Sequence, residues 1–152
     1  MKLKDVEIEG ETHIADIVQT EMVKIAILKQ EILRINTAFD HSPPISVAAV
    51  RRDLHQWHQD LPDEMRLNCL VHNPDITTDL RRTIYYVHLL YLGALMLSYR
   101  QTLNEHQHLH DTEPEVGEQT YTDAVAAAHQ SARILNLLRE ENGIFERCWI
   151  CM

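Results

Sequence analysis

One segment, residues 84–97, constrains the fold more than any other feature, because it is apolar on almost every side of a helix. It lies within a helical pattern that runs over residues 77–103. A helix with this pattern is buried among other elements. The apolar stretch is also shorter than the roughly 20 residues that a membrane-spanning helix needs. The chain therefore predicts an all-α bundle around a central helix, with no membrane span.

Three further segments carry apolar residues at helical spacing and are expected to pack around the central helix. They cover residues 14–39, 46–60 and 118–141. Ser46 is a suitable N-cap for the second of them, and Pro62 prevents its continuation. Gly93, inside the central helix, predicts that another helix approaches closely there. The prediction is a single domain over residues 1–152 with four main helices.

The remaining segments are predicted to connect or flank these helices. Residues 1–11 are charged and are expected to form a flexible arm. Residues 62–75 and 104–117 are mixed or polar and are expected to be connectors. The chain ends on an apolar stretch around Trp149, where we expect a short helical stub.

The charge of the chain argues against direct binding to nucleic acid. The formal net charge is -9 with histidine neutral, and the basic residues are scattered. A DNA-binding protein needs a basic face that displaces counterions from phosphate. The three cysteines form no disulfide framework, and the first residues lack the apolar core of a signal peptide. We therefore expect an intracellular protein, in the cytoplasm or the nucleus.

Two groups of residues have the chemistry to bind a metal ion. One is the alternating run of His106, His108 and His110. The other combines two motifs with the spacing of structural zinc sites, Cys69-x-x-His72 and Cys148-x-x-Cys151. The first group lies in a predicted loop, and the two halves of the second are far apart in sequence. We expect no metal and no cofactor.

Polar side chains within apolar helices are the best candidates for a ligand-binding site. The candidates are Trp57 in the second helix, with His55 and His58 beside it, Tyr85, His88 and Tyr91 in the central helix, and His129 and Arg133 in the fourth. If these faces converge, they line an apolar pocket with a few polar groups, as in most small-molecule sites. The alternative is that the tyrosines and His88 are core or rim residues with local hydrogen bonds.

No motif in the chain specifies a reaction. It has no nucleophile elbow, and its four glycines are too isolated to form a phosphate-binding loop. One hypothesis is a non-catalytic module that binds a hydrophobic small molecule or a regulatory protein. The alternative is a cofactor-independent cyclase, isomerase or lyase. There His88 would act as acid or hydrogen-bond donor, with Tyr85, Tyr91 and His129 as orienting donors and Trp57 as a wall.

Three stretches of the chain carry a family resemblance. They are Leu54-x-x-Trp57-x-x-x-Leu61-Pro62 followed by Met65, the tyrosine- and leucine-rich residues 85–100, and Ala128-x-x-Ser131-Ala132-x-Ile134-Leu135-x-Leu137-Leu138. Together they resemble the C-terminal half of the fungal-specific, or middle homology, regulatory domain of binuclear zinc-cluster transcription factors. The resemblance implies an all-α fold, fungal ancestry and, for the enzyme alternative, a role in secondary metabolism. The six-cysteine DNA-binding head and the first half of that domain have no counterpart here.

The missing half of the domain also predicts self-association. A helical bundle without its usual neighbours leaves an apolar face exposed to water, and large exposed patches usually mark interfaces. We therefore expect a homodimer formed through the first helix or the Trp149 terminus.

Overall fold

A computed structural model describes residues 2–37, 46–70, 76–108 and 114–141. These residues form five α-helices and one 3-10 turn, with no strand among them, which confirms the predicted all-α bundle. The elements in chain order are α1 (Lys2–Thr37), α2 (Val47–Gln59), the 3-10 turn (Asp63–Met65), α3 (Leu67–Leu70), α4 (Thr78–His108) and α5 (Pro114–Glu140).

Helix α4 is the centre of the bundle. Helices α1, α2 and α5 all pack against it, and α1 also packs against α2. Every residue of α4 from 84 to 99 is buried or half-buried, which is the environment that its continuous apolar sequence requires.

Helix α2 begins and ends at local signals in the sequence. The Ser46 hydroxyl accepts a hydrogen bond from the Ala49 N–H at 3.2 Å, so the predicted N-cap is confirmed. At the other end, the C-cap is Asp60, which precedes Pro62 by two residues. The Asp60 N–H donates to the carbonyl of Gln56. Between these ends, one face of α2 is buried, and its members are Val47, Val50, Leu54 and Trp57.

The predicted start of α1, end of α4 and start of α5 are wrong. In each case the observed helix extends beyond the predicted one. Helix α1 begins at Lys2, so residues 2–11 are not the expected arm. Helix α4 continues to His108 and α5 starts at Pro114, which leaves a shorter connection than the predicted 104–117. Lysine, leucine and glutamate favour helix, and extending an existing helix is easier than starting one. Apolar periodicity marks only the part of a helix that packs against its neighbours.

The structure also tests the expectations for Gly93 and for the connector over residues 62–75. A Cβ atom at Gly93 would meet nothing within 4 Å, so the predicted close approach of another helix there is wrong. The predicted connector 62–75 does join two main helices, but it also contains the 3-10 turn and α3. The predicted stub at Trp149 lies outside the described residues, as do His72, His110, Cys148 and Cys151.

The end of α5 is held against the start of α4 by two arginines. The Arg82 guanidinium donates to the Glu141 carbonyl, and the Arg81 guanidinium lies 3.4 Å from the Glu141 carboxylate. Arg81 also donates to the Ile76 carbonyl at 3.0 Å. Cations at a helix C-terminus satisfy its free carbonyl groups and its negative dipole end. None of the described helices combines the length and apolar content that crossing a membrane requires.

Candidate functional site

A groove runs between α5 and the α2–α3 region, with α4 as its floor. Three adjoining cavities form it, with volumes of about 460, 290 and 620 Å³. The first two share His58 and Gln130, and the first and third share Leu67, Asn68 and Gln130. These shared walls make the cavities one continuous groove.

Each helix around the groove contributes a different kind of side chain. The floor is mainly aromatic and aliphatic, and its members are His88, Tyr91, Leu92, Leu95 and Tyr99 from α4. Helix α2 adds His55 and His58, and α5 supplies the opposite wall from Asp123 to Leu137. At a rise of about 1.5 Å per residue, this wall is roughly 20 Å long. The groove is therefore long enough for an elongated ligand.

His58, on α2, lies at the centre of the groove, where it lines two of the three cavities. Its ring stacks on the Tyr91 ring, with centroids 4.6 Å apart and planes 10° apart. It also meets the His88 ring edge-on at a centroid distance of 5.9 Å. Trp57 also contacts this cluster, with its ring centroid 5.5 Å from that of Tyr91. From the sequence alone, His58 is only a neighbour of Trp57, although its spacing from His55 places both on one helix face.

His88 is buried and held in one tautomer. Its Nε2 atom lies 2.7 Å from the Met65 carbonyl oxygen, so Nε2 carries the proton and donates it in that bond. Burial lowers the pKa of His88 to about 4; the Met65 bond opposes this shift, and nearby His58 adds to it. The ring is therefore neutral at pH 7, and its Nε2 proton is already engaged. This geometry does not support His88 as an acid or hydrogen-bond donor toward a substrate.

The other titratable groups of the cluster are also uncharged near neutral pH. Burial lowers the pKa of His58, and the charges of His55 and Arg66 lower it further. Burial raises the pKa of Tyr91 to about 12, with a further contribution from Tyr99. The Tyr91 hydroxyl lies 3.4 Å from Nδ1 of His55. The floor thus offers neutral rings and hydrogen bonds rather than charge.

The structure brings together four of the six residues predicted for the site. His88 and Tyr91 lie on the floor, while His129 and Arg133 lie along the α5 wall.

The other two predicted residues belong to the core. The Trp57 indole N–H donates to the Glu21 carboxylate at 2.8 Å, which fixes α2 on α1. Tyr85 is 2% exposed, and burial raises its pKa, with a further contribution from Glu141. Tyr85 therefore fits the alternative of a core residue with local interactions, and Trp57 is also a core residue rather than the expected wall of the site.

The two ends of the groove carry opposite charges. Arg133 lines the largest of the three cavities by volume, and Arg66 lines the 460 Å³ cavity beside it. The Arg66 guanidinium is 3.2 Å from the Asp63 carboxylate, whereas Arg133 forms no ion pair within the described part of the chain. At the other end, Asp123 lines the smallest cavity. A ligand with one anionic end would therefore enter in a defined direction.

No three metal-binding side chains come together among the described residues. Cys69 is a half-buried free thiol, and the other members of the possible zinc site lie outside the described ranges. No protein-family model, curated protein or solved structure matches the chain. The groove is therefore the feature of the molecule that indicates a function.

Proposed function

We propose that this chain is a non-catalytic binding module whose groove holds an elongated, mainly apolar small molecule. The observation that carries the proposal is the continuous groove with neutral imidazole and phenol rings on its floor. Descent from the regulatory domain of fungal zinc-cluster transcription factors is part of the proposal. DNA binding is not, because the chain is acidic and has no basic stripe.

The dimensions favour a small molecule over a protein partner. Ligand sites are typically concave and occupy about 300–1,000 Å³, a range that includes cavities of 460 and 620 Å³. A flat ring system would contact the face of the His58–Tyr91 stack, since aromatic pairs favour offset stacking. An anionic group would lie near Arg133, at the opposite end from Asp123. A regulatory protein that inserts a side chain into the groove is the other form of this proposal.

A cofactor-independent isomerase or cyclase is the second candidate, and one observation favours it. His58 is a half-buried imidazole whose lowered pKa keeps it neutral, and it borders two cavities beside Tyr91. A neutral imidazole in a partly water-excluding site is able to accept a proton from a bound substrate. Under this candidate, His58 acts as a general base, in place of His88, which is expected from the sequence to act as an acid or hydrogen-bond donor.

The experiment uses a fluorescent probe and a variant that fills the groove. Anilinonaphthalene sulfonate combines an apolar ring system with one negative charge, and its fluorescence rises when it enters an apolar site. Ala126 lines two of the cavities from an exposed position on α5, so Ala126→Trp should block the groove without disturbing the core. We expect the Kd for the probe to rise by about tenfold or more.

A matched control separates groove filling from a general effect of tryptophan. Ala48 is also an exposed helical alanine, on α2, and Ala48→Trp should leave the Kd unchanged. Circular dichroism should show equal helix content in all three proteins. Equal probe affinity in the Ala126→Trp variant and the unmodified chain would rule out the groove as the binding site.

A further inference from the structure

Helix α5 has three distinct faces. One is buried against α4 and includes Ala127, Ile134 and Leu138. A second lines the groove through Ala126 and Gln130. The third face is exposed and apolar, and its members are Tyr121, Val125, Ala128, Ala132 and Leu135. We call this third face the α5 stripe.

The spacing of the α5 stripe is that of a coiled-coil seam. Its members follow one another at alternating steps of four and three residues, the repeat that lets one helix pack along another. Its larger side chains are far from buried, with Tyr121 63%, Val125 38% and Leu135 44% exposed. Small residues in the middle and larger ones toward the ends would allow two helices to approach closely at the centre.

Charge at the two ends of the α5 stripe indicates what covers it. Continuing the same spacing, the stripe is bounded by Glu118 on one side and Arg139 on the other, and both are exposed. In an antiparallel pair of identical helices, each Glu118 lies about one turn from the position that faces Arg139 of the second copy, which is close enough for the two charges to attract. In a parallel pair, like charges would lie together and repel. The stripe is therefore complementary to itself in the antiparallel direction.

We propose that the α5 stripe is the interface of a homodimer, in which α5 of one copy packs antiparallel against α5 of a second copy. The heptad geometry sets Val125 opposite Leu135 and Ala128 opposite Ala132, each contact occurring twice about the two-fold axis. It also sets Tyr121 opposite Arg139, where the guanidinium can lie over the aromatic ring. The positions that flank the seam carry no Asp, Glu, Lys or Arg, and their members are Thr122, Ala124, His129, Ser131, Asn136 and Leu138.

This interface differs from the surfaces expected from the sequence and does not depend on the groove proposal. Helix α1 does expose Val23, Ile27 and Leu33, but Lys24, Lys29 and Arg34 lie among them. The groove opens mainly from the b, c and f positions of the α5 heptad, away from the stripe, and His129 at an e position borders both surfaces. A dimer formed in this way leaves the groove floor open.

The experiment combines sedimentation equilibrium with charge substitutions in the seam. We expect the unmodified chain to be a dimer at tens of micromolar. Ala128→Lys and Ala132→Glu should each weaken dimerisation by about a hundredfold, because an unpaired charge is then buried in the interface. Combining both substitutions in one chain should restore the dimer. In the antiparallel register, the ammonium at position 128 faces the carboxylate at position 132 of the second copy.

Controls keep the proposal distinct from misfolding and from other interfaces. Ala26→Lys changes an exposed alanine on α1 and should leave the dimer intact. Circular dichroism and binding of anilinonaphthalene sulfonate to the groove should be unchanged in every seam variant. A monomeric unmodified chain, or a dimer that tolerates Ala128→Lys, overturns the proposal. If both single substitutions dissociate the dimer but the double one does not restore it, the antiparallel arrangement is excluded.

Discussion

The two sides of α4 differ in how completely other helices cover them. On one side, α1 and α2 pack against α4 and against each other, which closes a three-helix core. On the other side, α5 makes its main contact with α4, and the groove separates it from α2 and α3. One central helix therefore supplies a closed side and an open side.

The polar groups of the two sides differ in the same way. On the closed side, the Trp57 indole donates to Glu21 at 2.8 Å, and Arg51 donates to the Ser98 carbonyl at 3.0 Å. On the open side, Gln130 and Arg133 are exposed along the groove. Polar groups that are paired within the protein hold helices together, whereas those that face a cavity are free to meet a ligand. We expect the closed side to determine stability and the open side to determine binding.

The largest predicted effect compares the same substitution on the two sides. Leu54 on α2 is fully buried, so Leu54→Ala leaves a cavity in the closed core and should cost about 3 kcal/mol of unfolding free energy. Leu137 on α5 is half-buried and already borders a cavity, so Leu137→Ala should cost about 1 kcal/mol or less. Urea denaturation of the two variants measures both values. Equal losses would mean that the two sides contribute alike to the core.

An intermediate effect is predicted for His88, which lies where the two sides meet. Its pKa falls from 6.5 to about 4 on folding, so the unfolded chain binds more protons between these values. Stability should therefore decrease as the pH falls through this window. From pH 7 to pH 5, the contribution of His88 to this loss should be about 2 kcal/mol.

Carboxylates also titrate over this range, so the measurement must be a difference. The unfolding free energy of the unmodified chain at pH 7 and pH 5 is compared with that of His88→Gln, whose pH dependence should be shallower. His129→Gln makes the same substitution at an exposed histidine and serves as the matched control for the change of side chain. If His88→Gln and the unmodified chain share one slope, the buried ring is not the source of the pH dependence.

Local sequence signals account for the helices but not for their separation. The all-round apolar run predicts a buried α4, and the hydroxyl of Ser46 predicts the start of α2. The distance between α5 and α2 depends on how each crosses α4, which is set by packing between elements remote in sequence. The groove exists because of that distance, and therefore no local sequence motif predicts it.

Site residues are predictable from sequence where they share one helix face, and not where contacts between helices decide their position. His129 and Arg133 share one face of α5 at a spacing of four residues, and both line the groove. Trp57 lies in the core because Glu21, which is 36 residues away in sequence, accepts its N–H. The sequence indicates His58 only as a neighbour of Trp57. Its central place in the site follows from its ring contacts with Tyr91 and His88, which lie on another helix.

The smallest predicted effect tests whether paired polar groups stabilise the closed side. The Arg51 guanidinium donates to both Oγ and the carbonyl of Ser98, donates to the Thr102 hydroxyl, and lies 4.7 Å from the centre of the Tyr99 ring. A lysine ammonium keeps the charge but loses the planar fork that makes these contacts together. Arg51→Lys should therefore cost about 1 kcal/mol of unfolding free energy, measured in urea. Arg52→Lys changes the exposed neighbour and should leave the free energy of unfolding almost unchanged. Similar losses of unfolding free energy in the two variants would show that the contacts of Arg51 contribute no more than a surface charge.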